Sequence, residues 1–70
     1  MVHMMLFIVI RESIDTKELW NDIARYKVNE TDMIDYTLVY GDVCVSDVLN
    51  IVACCLKYSH NIEFTLKDSS

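Results

Sequence analysis

The apolar positions of this chain change their period from one stretch to the next. Met4 to Ile10 reads Met-Met-Leu-Phe-Ile-Val-Ile with no polar interruption. A run so short, rich in β-branched and aromatic residues, predicts a strand. Unbroken apolarity offers both strand faces for burial. The strand is therefore either central in a sheet or covered from outside the chain. From Asp15 the period lengthens: Leu19, Ile23 and Tyr26 share a helical face with Trp20 and Ala24 beside them, and Lys17, Asn21, Asp22 and Arg25 face away. This predicts a helix from Thr16 to Val28. Asp15 suits the N-cap, and Glu18 three residues later completes a capping-box-like pattern.

Asn29-Glu30-Thr31-Asp32 is polar and turn-prone and reads as a linker. Strand periodicity returns over Ile34 to Tyr40, with Tyr36, Leu38 and Tyr40 on one face and Thr37 and Val39 on the other. Gly41-Asp42 contains the only glycine and predicts a tight turn with positive φ. Val43-Cys44-Val45 would then return as a short strand. A second helix follows, with Val45, Val48, Leu49, Val52 and Leu56 as its core stripe and Ile51 and Cys55 flanking it. It is apolar almost all round and should be heavily covered. Asn61 can take a left-handed position after it. The last strand, Ile62 to Lys67, alternates Ile62, Phe64 and Leu66 with Glu63, Thr65 and Lys67, which implies one dry and one wet face. The order is β-α-β-β-α-β. Over a single domain of residues 1–70 this allows two topologies. Merging the short hairpin strand gives β-α-β-α-β, a small parallel doubly wound sheet. Keeping it gives an α+β open-faced sandwich, a four-stranded antiparallel sheet with two helices on one face, which the alternating last strand favours.

At 70 residues and 53% hydrophobic content, with no proline, the chain has the composition of an ordered domain with a small core. A partner chain would help such a scaffold. The charges, 6 basic against 11 acidic for a net −5, are scattered and leave no clustered basic footprint. Nucleic-acid and anionic-membrane binding are therefore not expected. An acidic surface would suit a basic patch on a protein partner. Cys44, Cys54 and Cys55 show neither disulfide-framework nor zinc spacing, so reduced thiols in a cytoplasmic protein are expected. The run from Met4 is too short to span a membrane and lacks the flanks of a signal peptide. No metal or other cofactor is expected.

Val43-Cys44-Val45-Ser46-Asp47-Val48 and Asn61-Ile62-Glu63-Phe64 carry a family resemblance. Together, without a gap, they resemble the second half of HPr, the histidine-containing phosphocarrier of the sugar phosphotransferase system. There a short strand enters a helix with a Val-Asn-Ala-Lys-Ser-Ile-like start, and a Glu-Ile-x-Ile-type strand follows. The resemblance implies an open-faced sandwich with strand order 1-4-2-3, so that the first strand lies at an edge. It also implies two sites. The family's phosphorylated histidine lies in a Gly-Leu-His-Ala-Arg-Pro-like loop, which Ser13-Ile14-Asp15-Thr16-Lys17-Glu18 matches. Asp15 stands at the histidine position, Lys17 at the arginine and Glu18 at the proline. A phosphocarrier needs an imidazole nucleophile and a guanidinium to hold the phosphate. Asp15 supplies no imidazole, and Glu18 repels phosphate. At the family's regulatory serine stands Asp47, with Ser46 one residue before it. The family's C-terminal helix has no counterpart before Ser70.

The expected function is therefore a non-catalytic HPr-like protein-binding or regulatory module related to the phosphotransferase system. It would bind a protein partner through Asp15, Lys17, Ser46 and Asp47. Two alternatives stand beside it: a phosphoryl carrier using Asp15 or His60, and a structural homodimerising domain. An apolar edge strand is a pairing hazard, which points to a homodimer interface at Met5, Phe7 and Ile8. For Asp15 and Glu18 the capping role is the simpler one. His60 sits near the negative end of the second helix, where phosphate is disfavoured. Cys54 and Cys55 are about 100° apart on a helix and read as small buried hydrophobes. Cys44, on a short edge strand, is the reactive candidate of the three, although no basic neighbour is visible to activate its thiol.

Overall fold

The unbroken apolar run forms strand β1 (His3–Ile10), and it lies inside the sheet. In the computed structural model, which describes residues 2–69, β1 is hydrogen-bonded on both sides. After it come α1 (Thr16–Ile23) with a single 3-10 turn (Ala24–Tyr26), β2 (Asn29–Asp32), β3 (Thr37–Cys44), α2 (Val45–Leu56) and β4 (Ile62–Asp68). The sheet order is β2-β3-β1-β4, and every neighbouring pair is antiparallel. The result is the expected α+β open-faced sandwich: four antiparallel strands and two helices.

Register explains which face is dry. Leu6 stands opposite Gly41 and Leu66, Ile8 opposite Val39 and Phe64, and Ile10 opposite Thr37 and Ile62. Directly opposed residues share a face. Leu6, Ile8, Ile10, Val39 and Val43 are buried together with Leu19 and Ile23 of α1 and Val48, Ile51, Val52 and Cys55 of α2. Both helices therefore cover this one face. On the other face Met5, Phe7 and Val9 alternate with the core residues and are half-buried, as are Leu38 and Tyr40. The α1 crossover from β1 to β2 spans β3, and the α2 crossover from β3 to β4 spans β1. These are two interlocked split β-α-β units.

This order replaces the expected 1-4-2-3, and the source of the difference is local. Residues 29–32, expected as a linker, are an edge strand paired with β3 from Asn29↔Tyr40 to Asp32↔Thr37. The hairpin turn falls at residues 33–36, where the Met33 amide donates to the Tyr36 carbonyl at 2.8 Å. No turn forms at Gly41. β3 runs straight through it, and no glycine has positive φ. Gly41 answers a different need. A Cβ there would lie 3.2 Å from Val28 Cα, so glycine lets the start of β2 approach β3 closely. Among the described residues, the one positive φ outside glycine is at Lys27, 60°. It closes the 3-10 turn four residues after α1 itself has ended at Ile23, which is why the predicted helix to Val28 is too long. Asn61 takes no left-handed position. Its amide donates to Ser59 Oγ at 2.9 Å and its side chain to the Arg11 carbonyl at 3.2 Å, tying the α2–β4 loop to the end of β1.

Candidate functional site

Asp15 has the φ and ψ of an N-cap, −78° and 93°. Its Oδ1 accepts from the Glu18 amide at 3.2 Å, satisfying one of the donors a helix start leaves open. The helix start borders a cavity of about 260 Å³ between the β1–α1 loop and the β2–β3 turn. Its lining holds Glu12, Asp32 and Asp35 and no Lys, Arg or His. Asp32 accepts from Thr16 Oγ1 and Thr37 Oγ1, each at 3.3 Å. Burial, followed by the nearby charge of Asp32, pushes the neighbouring Glu30 carboxyl above its ordinary value. A phosphoryl group brought here would meet carboxylates on several sides and no cation in the lining.

The second expected position lies elsewhere. β1 and β3 are antiparallel, with Ile10 beside Thr37 and His3 beside Cys44. α1 leaves from the Ile10 end of the sheet and α2 from the Cys44 end. The eight residues of β1 separate the ends by about 23 Å at ~3.3 Å per residue. Asp15 and Lys17 therefore do not share a surface with Ser46 and Asp47. Asp47 is half-buried in the first turn of α2, where its charge suits the helix dipole. Ser46 Oγ lies 3.1 Å from Cys44 Sγ. His60 is exposed in the loop after α2, at the α1 end of the sheet.

The proposed β1 interface also needs correction. Ile8 is 0% exposed, under the helices, and cannot meet a partner. β1 is not an edge, because β3 and β4 occupy both of its sides. Met5 and Phe7 lie on the open face, where Lys67 Nζ stands 5.9 Å from the Phe7 ring centre.

The polar contacts that remain are ties between elements. Tyr58 donates to Asp22 Oδ2 at 2.6 Å, with Lys57 Nζ 3.4 Å from the same oxygen. The tyrosine hydroxyl and the lysine hold Asp22 below the usual carboxylate range against its partial desolvation. The same bond pushes Tyr58 up to about 12. Ser59, buried, donates to Glu12 Oε1. Cys55 is buried among apolar side chains, which pushes its thiol up to about 12, with Cys54 adding to the shift. Among the described residues no group of three or more His, Cys, Asp or Glu is placed to hold a metal ion, and no helix is long and apolar enough to cross a membrane.

Large apolar side chains are exposed at Val2, Trp20, Met33 and Ile34, and in a larger group on α2 and β4. The core face of α2 is Val48, Ile51, Val52 and Cys55, rotated by most of one ~100° residue step from the predicted stripe. Val45, Leu49 and Leu56 are consequently exposed, Leu49 at 77%. They lie across the helix axis from Cys54, whose side faces α1 through Tyr58 and Asp22. The side turned from α1 looks toward β4. There Phe64 (49% exposed) and Leu66, on the helix side of the sheet, are also uncovered. The signal was present in the chain as a helix apolar nearly all round beside an alternating strand. What it lacked was the rotation of the helix. Compared with known proteins, the chain matches no family model, no curated protein and no solved structure.

Proposed function

We propose that this chain is a non-catalytic protein-binding module, and that its contact surface is the flank formed by α2 and β4. One observation carries the proposal: Val45, Leu49 and Leu56 share one face of α2, Phe64 and Leu66 share the helix side of β4, and all five are exposed. Contiguous exposed apolar surface rimmed by polar residues is the mark of an interaction site. The acidic cavity beside α1 holds no comparable constellation for catalysis. A regulatory role beside phosphotransferase components stays within this proposal only through the resemblance at Val43–Val48 and Asn61–Phe64. The strand order implied by that resemblance is not the one found, which counts against it.

A photo-reactive amino acid at Leu49 is expected to give a protein adduct in the native cell, and one at Lys17 is not. Adducts at Lys17 or Ser46 with none at Leu49 would overturn the placement of the surface. Incubation with the general phosphotransferase enzyme and phosphoenolpyruvate is expected to leave Asp15 and His60 unmodified. Phosphoaspartate or phosphohistidine there would make the chain a carrier and end the non-catalytic reading.

A further inference from the structure

The two edges of the sheet are unlike. β2 is four residues long and carries Glu30 and Asp32. Burial and the Asp32 charge already raise the carboxyl of Glu30. A second copy laid along β2 would set carboxylate against carboxylate. Shortness and like charge are two ways in which natural sheets close an edge. β4 is longer, and its charges, Glu63, Lys67 and Asp68, are of both signs. It runs seven residues from Ile62 to Asp68 without Pro or Gly, and no other strand lies along its outer side among the described residues.

The sequence of β4 is also self-complementary about its midpoint, Thr65. Laid antiparallel against a second copy with Thr65 on the twofold axis, Phe64 falls opposite Leu66 of the second copy, and Leu66 opposite its Phe64. Glu63 falls opposite Lys67 and Lys67 opposite Glu63, so each copy contributes to two opposite-charge pairs. Directly opposed apolar pairs, opposite charges and Thr–Thr pairs are the favourable cross-strand combinations. The two sets occupy different faces: Phe64 and Leu66 lie with Ile8 and Leu6 on the helix side, and Glu63 and Lys67 lie with Val9 and Met5 on the open side. A register centred on Glu63 or Lys67 would oppose like charges. Centring on Thr65 also pairs all seven residues of the strand, with Ile62 opposite Asp68 at its ends as the one combination that is not complementary.

We propose that β4 is a homodimerisation edge: two copies pair antiparallel about Thr65 and extend the sheet to eight strands. This rests on the protein-binding reading and names the partner, a second copy of this chain. Neighbouring strands lie about 4.8 Å apart. Phe64 and Leu66 from both copies therefore form one floor on the helix side, and the Val45–Leu49–Leu56 flanks of the two α2 helices stand on either side of it. The axis passes through one residue, and the contact is isologous, as a closed twofold dimer requires.

The register gives the test. In the full chain, Thr65→Cys is expected to form a disulfide-linked dimer on mild oxidation, above the baseline of the wild-type cysteines. Glu63→Cys and Lys67→Cys should each fail to cross-link alone and should cross-link to one another when mixed. By sedimentation, Glu63→Lys and Lys67→Glu should each weaken dimerisation about tenfold, as two attractive pairs become repulsive, and the double swap should restore it. A monomer at high micromolar concentration overturns the proposal, and so does a dimer whose cross-links ignore this register. If the chain is monomeric and the Leu49 cross-linker captures a different protein, the binding module stands and the homodimer falls. If Leu49 captures nothing, both fall.

Discussion

Gly41, Asp15 and the Tyr58–Asp22 pair each turn a sequence signal into a specific physical demand. At Gly41 the demand is space and not backbone freedom. A methyl group there would stand 3.2 Å from the Val28 backbone and 3.4 Å from Val28 Cγ1. A glycine at ordinary φ normally gains stability on replacement by alanine. Here overpacking against main chain wins, and Gly41→Ala is expected to cost about 1–3 kcal/mol, read as a lower urea midpoint at unchanged slope. The Tyr58–Asp22 bond sets a pH window. Asp22 is held below its ordinary value of 3.8, so its contribution is present above that pH and is lost as pH falls through the lower folded value. Tyr58 is raised from 10.0 to about 12, so its contribution is present below pH 10 and is lost as pH rises toward 12. Tyr58→Phe should therefore lower the thermal midpoint at neutral pH. The gap from wild type should narrow at both acid and alkaline extremes. A gap constant across pH would show that the hydroxyl does not act through the carboxylate.

Among the elements, the ones the chain announces most clearly are those with a single period. The Met4–Ile10 run is a strand, Asp15 caps α1 by way of the Glu18 amide, and the alternating last segment is β4. The functional assignment of Asp15 can be separated from its structural one. Asp15→Ala should cost about 1 kcal/mol through loss of the cap, and Asp15→Asn should be nearly neutral, since asparagine caps as well. A phosphoacceptor role would make the two substitutions equally damaging to phosphorylation. Two elements were not legible. Asn29–Asp32 is polar because it is a short edge strand, and turns and blunted edges draw on similar residues. α2 is apolar on too many sides for periodicity to choose a face. The sheet chooses Val48, Ile51, Val52 and Cys55. Ile51→Ala, in the core, should cost about 2–5 kcal/mol. Leu49→Ala, one of the predicted stripe, should stay within about 0.5 kcal/mol in the monomer. If the two costs were exchanged in urea unfolding, the helix would be rotated the other way.

Across the whole molecule, α1 and α2 leave opposite ends of the sheet because β1 and β3 run antiparallel. Any antiparallel β-α-β-β-α-β sheet shares that, so it was legible in the element order, whereas the strand order β2-β3-β1-β4 was not. The same order resolves the two-sided apolarity of β1. One of its faces lies under the helices, and the other is the half-buried open face with Met5, Phe7 and Val9. The exposed edge moves to β4. A chain of this length has limited core, and its stability sits near the low end of the usual ~5–15 kcal/mol. Association that recruits only folded chains adds to this by mass action. Pairing at β4 therefore predicts a thermal midpoint that rises with protein concentration. Leu49→Glu, at a position 77% exposed in the isolated chain, would place a charge beside the apolar floor of the seam. It should leave the midpoint at low concentration close to wild type and abolish its rise with concentration. Ile8→Glu, at a position with no exposed surface, should prevent folding at every concentration. Calorimetry over a hundredfold concentration range separates these behaviours, and a wild-type midpoint that does not move would remove association at β4 as a source of this domain's stability.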